Sequence, residues 1–184
     1  MPELSPCEVY CDLEMENGVG VTIIGHDQEA RTFVSGYEGT GDYKATITYD
    51  ISYDHVVAIV DHSAKCKQYL RWECYAATIK NPHLSDVWST YWTKRGDVPA
   101  DYFPGGVPGS GKCGCGQIGN CANASAACNC DINDQVWRSD EGYLTYKDDL
   151  PIYSFRAGDT GNSFLRLHAC PSSSSLSLLY SWPS

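Results

Sequence analysis

The 184-residue chain carries 13 Lys and Arg against 23 Asp and Glu, a formal charge of −10, and ten cysteines. A chain of this length buries one substantial core and need hold only one domain, while so acidic a balance repels phosphate backbones and excludes nucleic acid as a partner. The cysteine density does not suit an ordinary cytosolic protein and points to an oxidising compartment, either secreted or on the extracellular face of the plasma membrane.

The opening Met1-Pro2-Glu3-Leu4-Ser5 has no basic segment followed by an apolar run, and no stretch of about eighteen apolar residues follows. The expectation is therefore a mature portion or an excised domain with no membrane span. From Glu8 to Ile24, short apolar runs flank the turn signal Asn17-Gly18, which predicts a hairpin. Thr32 to Tyr37 and Tyr43 to Tyr53 are rich in β-branched and aromatic residues, and Ala45, Ile47, Tyr49 and Ile51 alternate; both predict antiparallel strands.

Val56, Val57, Val60, Ala64 and Tyr69 then fall near helical spacing, which predicts one main helix near residues 54 to 66. Cys66 and Cys74 lie eight residues apart, about 12 Å along an unbroken helix, whereas a disulfide needs Cα atoms about 4.4 to 6.8 Å apart. If they pair, the helix ends between them and a strand beginning near Trp72 returns Cys74 to its side.

Asp86 to Gly111 is aromatic and loop-forming, with Trp88, Tyr91, Trp92, Tyr102 and Phe103 set among prolines and glycines. Such rings either pack beneath a long loop as a satellite core or supply rigid contact area for a partner. Trp88, Trp92, Tyr102 and Phe103 are the candidate partner-binding residues. Lys112 to Asp131 holds Cys113, Cys115, Cys121, Cys128 and Cys130 in the spacing C-x-C-x5-C-x6-C-x-C, which leaves little room for regular structure. With Cys170 these five make three bridges in any of fifteen connectivities. Zinc is the rival reading, but the spacing is not C-x2-C. Tyr143 to Tyr146, Leu150 to Phe155 and Phe164 to Leu167 predict further strands, ahead of a mobile Ser-rich tail over 171–184.

Among possible sites, Asn123-Ala124-Ser125 is an N-glycosylation acceptor sequence. Asp131, Asn133, Asp134, Asp140 and Glu141 are hard oxygen donors in a short stretch, a candidate calcium set without EF-hand spacing; no other cofactor is required. No G-x-S-x-G, H-E-x-x-H or phosphate-binding glycine loop occurs, and the five histidines are scattered, so no catalytic residue is assigned and the chain is read as a non-enzyme.

Three stretches carry a family resemblance. Val9-Tyr10-Cys11-Asp12-Leu13 resembles the V-Y-C-D-M opening strand of fibrinogen-like domains. Ala58 to Cys74 resembles the stretch in which a serine precedes C-x-Q and an aromatic precedes x-C. Lys112 to Pro151, with K-C-G-C-G, G-N-C, C-N-C-D and Q-V-W-R-S-D-E-G-Y-L-T-Y-K-D-D-L-P, resembles the distal part of the fibrinogen-like module of contactin-associated proteins and neurexin IV. Asp159-Thr160 and Cys170 match in order, so the resemblance covers most of residues 6 to 170.

It implies a single α+β fibrinogen-like domain over 6–170, with a central antiparallel sheet, one main helix and long disulfide-pinned loops. It further implies a non-catalytic recognition module in cell adhesion or cell-cell contact, with an extracellular or cell-surface protein as partner. The alternative it raises is a lectin that binds acetylated glycans with calcium, against which C-G-C and C-N-C replace the family's usual pocket-forming residues. In the family, the cysteine matching Cys11 pairs with one upstream, and Cys7 stands where an apolar residue is usual. A direct Cys7 to Cys11 bond spans roughly 13 Å of extended chain and needs a turn, so one or both remain unpaired, bridge elsewhere or link chains.

Overall fold

The computed structural model describes residues 5–16, 19–80, 88–168 and 170–173. Its strands form three antiparallel four-stranded sheets. The first contains β1 (Tyr10–Glu16), β2 (Val19–Ile24), β12 (Cys170–Ser173) and β5 (Lys65–Cys66), in the order β1-β2-β12-β5. The second runs β4 (Tyr43–Thr46), β10 (Ser154–Ala157), β7 (Tyr91–Lys94), β8 (Val98–Pro99). The third, and longest, runs β3 (Thr32–Ser35), β11 (Asn162–His168), β6 (Gln68–Tyr75), β9 (Arg138–Leu144). The hairpin β1–β2 forms as its pattern predicts, and its Asn17-Gly18 turn lies outside the described residues.

Helix α1 (Tyr53–His62) is shorter than the predicted 54–66. Ser52 caps it by accepting from the His55 N–H. Ser63 closes it, donating its hydroxyl to the Ile59 carbonyl at 2.6 Å and its N–H to Val60. Val56 and Val60 are the buried pair, one turn apart.

The chain then straightens at once into β6. Gln68, Leu70, Trp72 and Cys74 face inward while Tyr69, Arg71, Glu73 and Tyr75 face outward, a strict period of two that the helical spacing upstream had masked. Beyond Thr46 no regular strand continues through the predicted Tyr53, yet Ile47 and Tyr49 still alternate into the core.

The core lies between the sheets and α1 and includes Trp72, Trp92, Phe103, Phe155, Leu70, Leu144, Leu165 and Leu167, all at 1% exposure or less. Gln68 is wholly buried there without an orphan donor or acceptor. Its Nε2 donates to the Tyr49 hydroxyl at 3.0 Å, its Oε1 accepts from the Ile152 N–H at 3.0 Å, and Tyr49 donates to the Ile152 carbonyl at 2.7 Å. Pairing every polar atom removes the penalty of burying that amide. The residues Pro171 to Ser173, assigned by sequence to the tail, pair with β2 in β12.

Candidate functional site

Two regions gather the polar, charged and aromatic side chains that recognition requires: the disulfide-held segment 113–132, and the outer face of the β3-β11-β6-β9 sheet.

Three bridges hold the first. Cys113 joins Cys128, Cys115 joins Cys121, and Cys130 joins Cys74 across 56 residues. Pairing of Cys66 with Cys74 is thereby corrected. Cys66 sits in β5 of one sheet and Cys74 at the far end of β6 in another, with seven residues of largely extended chain between them, about 3.3 Å each. Cys130 likewise leaves the distal cluster to meet Cys74. Cys7 and Cys11 are exposed and outside these bridges, Cys11 lying 3.7 Å from the Thr22 hydroxyl, and the Cys170 side chain lies outside the described residues.

The short helix α2 (Gly114–Ile118) fits inside this cage because Gly116 faces the Ala127 carbonyl, 2.1 Å from where a Cβ would stand. Asn123 is exposed within the loop, its Oδ1 accepting from the N–H and hydroxyl of Ser125 at 3.1 and 2.8 Å.

The proposed calcium donors take separate structural tasks. Asp140 is buried and accepts from the N–H groups of Asn129 and Cys130 at 3.0 and 2.9 Å. Asp131 accepts from Ile79 and Lys80 N–H at 3.2 and 2.8 Å. Together with the Cys74–Cys130 bond, these contacts fasten the distal segment to the sheet. Burial pushes the Asp131 carboxyl up to about 6, opposed by the Lys80 N–H, and the Asp140 charge raises it further. Asp134 binds Arg138 at 2.6 Å, and that hydrogen bond holds its carboxyl below the usual range. Glu141 lies on the opposite, outer face, and Asn133 is an exposed residue at φ 52° that closes a turn.

Among the described residues the one group of three His, Cys, Asp or Glu whose ligand atoms converge is Cys113, Cys128 and Asp140, and two of those sulfurs are spent in a disulfide.

The predicted partner-binding rings are corrected as well. Trp92, Tyr102 and Phe103 are at most 1% exposed. Trp92 donates its indole N–H to the Tyr102 carbonyl at 2.6 Å, and Tyr102 donates to Asp149 at 2.9 Å. Trp88 is partly exposed and stacks on Phe103 with centroids 5.9 Å apart. Tyr102 and Phe103 of the loop turn inward beside Trp92 of β7, and all three serve as core.

Arg95-Gly96-Asp97 is also tied inward. Arg95 binds Asp61 and the Leu150 carbonyl, while Asp97 accepts from Ser154 at 3.0 Å and Arg156 at 2.5 Å.

The outer sheet face is the surface that sequence reasoning missed. Opposite pairs set its order: Phe33 and Phe164 lie beside Glu73 and Ser139, Arg166 beside Arg71 and Glu141, and Tyr69 beside Tyr143. Phe33, Trp137 and Tyr143 are about half exposed, at 55%, 50% and 51%. Trp137 packs against Tyr75 and Phe164 at 5.5 and 5.6 Å, and the Arg31 guanidinium lies 3.4 Å over the Phe164 ring.

Ion pairs run across the strands from Arg31 to Glu73 at 2.6 Å, Glu73 to Arg71 at 2.7 Å, and Arg71 to Glu141 at 3.2 Å. Tyr69 donates to Glu141 at 2.5 Å; burial and that carboxylate push its phenol up to about 12, so it stays a donor at neutral pH. A notch of about 200 Å³ opens among Arg31, Arg71, Glu73, Trp137, Arg138 and Ser139. The signal for this face was present as the alternation of β6 and the Trp137-Arg138 step, but it required the strand register to be seen.

No family model matches the chain. Over 161 residues, 86% of its length, it is 34% identical to Neurexin-4 of Drosophila melanogaster. Over 161 residues, 87% of its length, it is 33% identical to Contactin-associated protein 1 of Mus musculus and of Homo sapiens. The chain spans 12% and 11% of these relatives, so the likeness concerns one segment of much longer proteins. That segment-wide identity, with an antiparallel α+β architecture and three disulfides, fits a region of the contactin-associated, neurexin-IV type.

Proposed function

We propose that this chain is a fibrinogen-like extracellular recognition module that binds a cell-surface protein in adhesion or cell-cell contact, without catalysis and without a required cofactor. The observation that carries this reading is the open face of the β3-β11-β6-β9 sheet, where half-exposed rings and a cross-strand ion network stand on a fully packed core. Arginine and aromatic side chains are the residues that dominate protein interfaces. Because strands and core fix their positions beforehand, little ordering entropy is lost on binding.

The similarity to Neurexin-4 and to a protein named for association with contactin supports a role at cell contacts. Three disulfides and the exposed acceptor Asn123 suit passage through the secretory route, with Asn123 carrying a glycan. No helix among the described residues is long and apolar enough to cross a membrane.

The test is binding of the tetramerised domain to a panel of cultured cells. Specific binding abolished by mild protease treatment of those cells, and unchanged by EDTA, is expected. Binding to no cell type overturns the recognition role, and binding that survives proteolysis but is removed by glycosidases or EDTA overturns the protein-partner assignment.

A further inference from the structure

Resting on that recognition role, we propose that the outer sheet face takes an acidic protein surface, with a partner carboxylate seated in the notch among Arg31, Arg71 and Arg138 against the indole of Trp137. The face inverts the charge of the molecule. It gathers five cations, Arg31, Lys67, Arg71, Arg138 and Arg166, against three carboxylates, Glu73, Glu141 and Asp134, in a chain of 13 basic and 23 acidic residues. An acidic partner is thus drawn to this face and repelled by the remainder of the domain, which orients the encounter as well as favouring it.

The guanidiniums have donors to spare. Each carries five N–H groups. Arg31 spends Nε on Glu73, Arg138 spends Nε and Nη2 on Asp134, and Arg71 holds Glu73 through Nη2 while its buried Nε lies near Glu141 without a hydrogen bond. Arg71 also hydrogen-bonds Tyr69, so the existing pairs fix the guanidinium planes and leave the other edges of Arg31 and Arg138 for an incoming carboxylate, the bidentate geometry that arginine provides and lysine does not. Arg166 is exposed on β11, beside Arg71 across the strand pair. Phe33 and Trp137 flank the cations with half-exposed rings, so the contact has an apolar component.

A sulfated polysaccharide fits less well. Glu73 and Glu141 sit between the arginines and repel a uniform polyanion, whereas a folded partner of mixed charge matches an alternating pattern.

The experiment measures binding to the labelled domain by fluorescence anisotropy of three probes: a short peptide alternating Glu with Leu and Tyr, its Gln counterpart, and a heparin fragment. The expected result is binding of the Glu peptide at least about tenfold tighter than the Gln peptide, weakening as salt is raised from about 50 to 300 mM. Arg166→Glu, Arg31→Gln and Trp137→Ala each weaken it by about fivefold or more, while Ile118→Ala, on the distal segment, leaves it unchanged. Circular dichroism and the thermal midpoint confirm that each variant is folded, and Arg166→Glu, on an exposed side chain, guards against loss by misfolding.

Equal or absent binding of the two peptides overturns the inference. So does heparin binding that depends on the same arginines but not on Trp137, which assigns the face to an anionic glycan. Cell binding that persists undiminished in the Arg31→Gln/Arg166→Glu double variant sinks this assignment while leaving the recognition role intact, whereas a wild-type domain that binds no cell sinks the role itself.

Discussion

Two groups of aromatic residues occupy opposite kinds of place in this domain. Tyr102 and Phe103 come from a Pro- and Gly-rich loop and, packed with Trp92 of β7, are buried, whereas Phe33, Trp137 and Tyr143 come from or adjoin regular strands and stand half exposed. The naive association of loops with surfaces and strands with cores fails in both directions. A long loop crossing a sheet must exclude water beneath itself and uses its rings to do so. An antiparallel strand buries one face only, so every second side chain is offered to solvent whatever its chemistry.

Breaking the buried group has the largest expected effect. Trp92→Ala leaves a cavity and an unanswered Tyr102 carbonyl, and should cost about 3–5 kcal/mol in urea unfolding with no change in slope. A loss under about 1 kcal/mol would show that the Trp92–Tyr102 packing is not core.

Next in size is the tie between the distal segment and the sheet. Replacing both Cys74 and Cys130 by Ala frees a 56-residue loop and should cost about 4 kcal/mol, against about 2 kcal/mol for Cys115 and Cys121, which close a loop of 6. An order reversed between the two pairs in thermal unfolding would contradict this ranking.

Asp131→Asn probes the same tie through pH. Its carboxyl, raised to about 6 by burial, binds a proton more readily folded than unfolded. Stability from this group therefore falls as pH rises from about 4 to 6 and stays reduced above that. The Asn variant keeps an acceptor for Ile79 and Lys80, so it should flatten that decline and gain on the order of 1 kcal/mol at pH 7. An unchanged pH profile would mean that the carboxylate is better solvated than its burial implies.

The smallest stability effect is expected on the outer face. Trp137→Ala should change unfolding free energy by about 1 kcal/mol or less while weakening binding, the reverse of Trp92→Ala. Equal effects of the two substitutions on stability would erase the distinction between the aromatic groups.

Much of the first half of the fold was legible in residue order. The hairpin β1–β2 and helix α1 followed from Asn17-Gly18 and from Val56 and Val60, because local periodicity and turn chemistry act within a few residues. Strand β9 was read only at its end, since Arg138-Ser139-Asp140-Glu141-Gly142 has none of the β-branched residues that mark a strand; it is one because β6 pairs with it along its whole length.

By itself, the sequence determined the cysteine-dense distal segment and the likeness to the contactin-associated family, both of which depend on residue identity and short spacing. Tertiary structure alone decided that Cys74 meets Cys130, that the acidic residues answer main-chain N–H groups and arginines separately, and that Arg31, Trp137 and Phe164 share one face. The physical reason is distance along the chain. A partner 56 residues away, or a notch built from β6, β9 and the residue that precedes β3, is chosen by sheet register and core packing, and no local pattern encodes that choice.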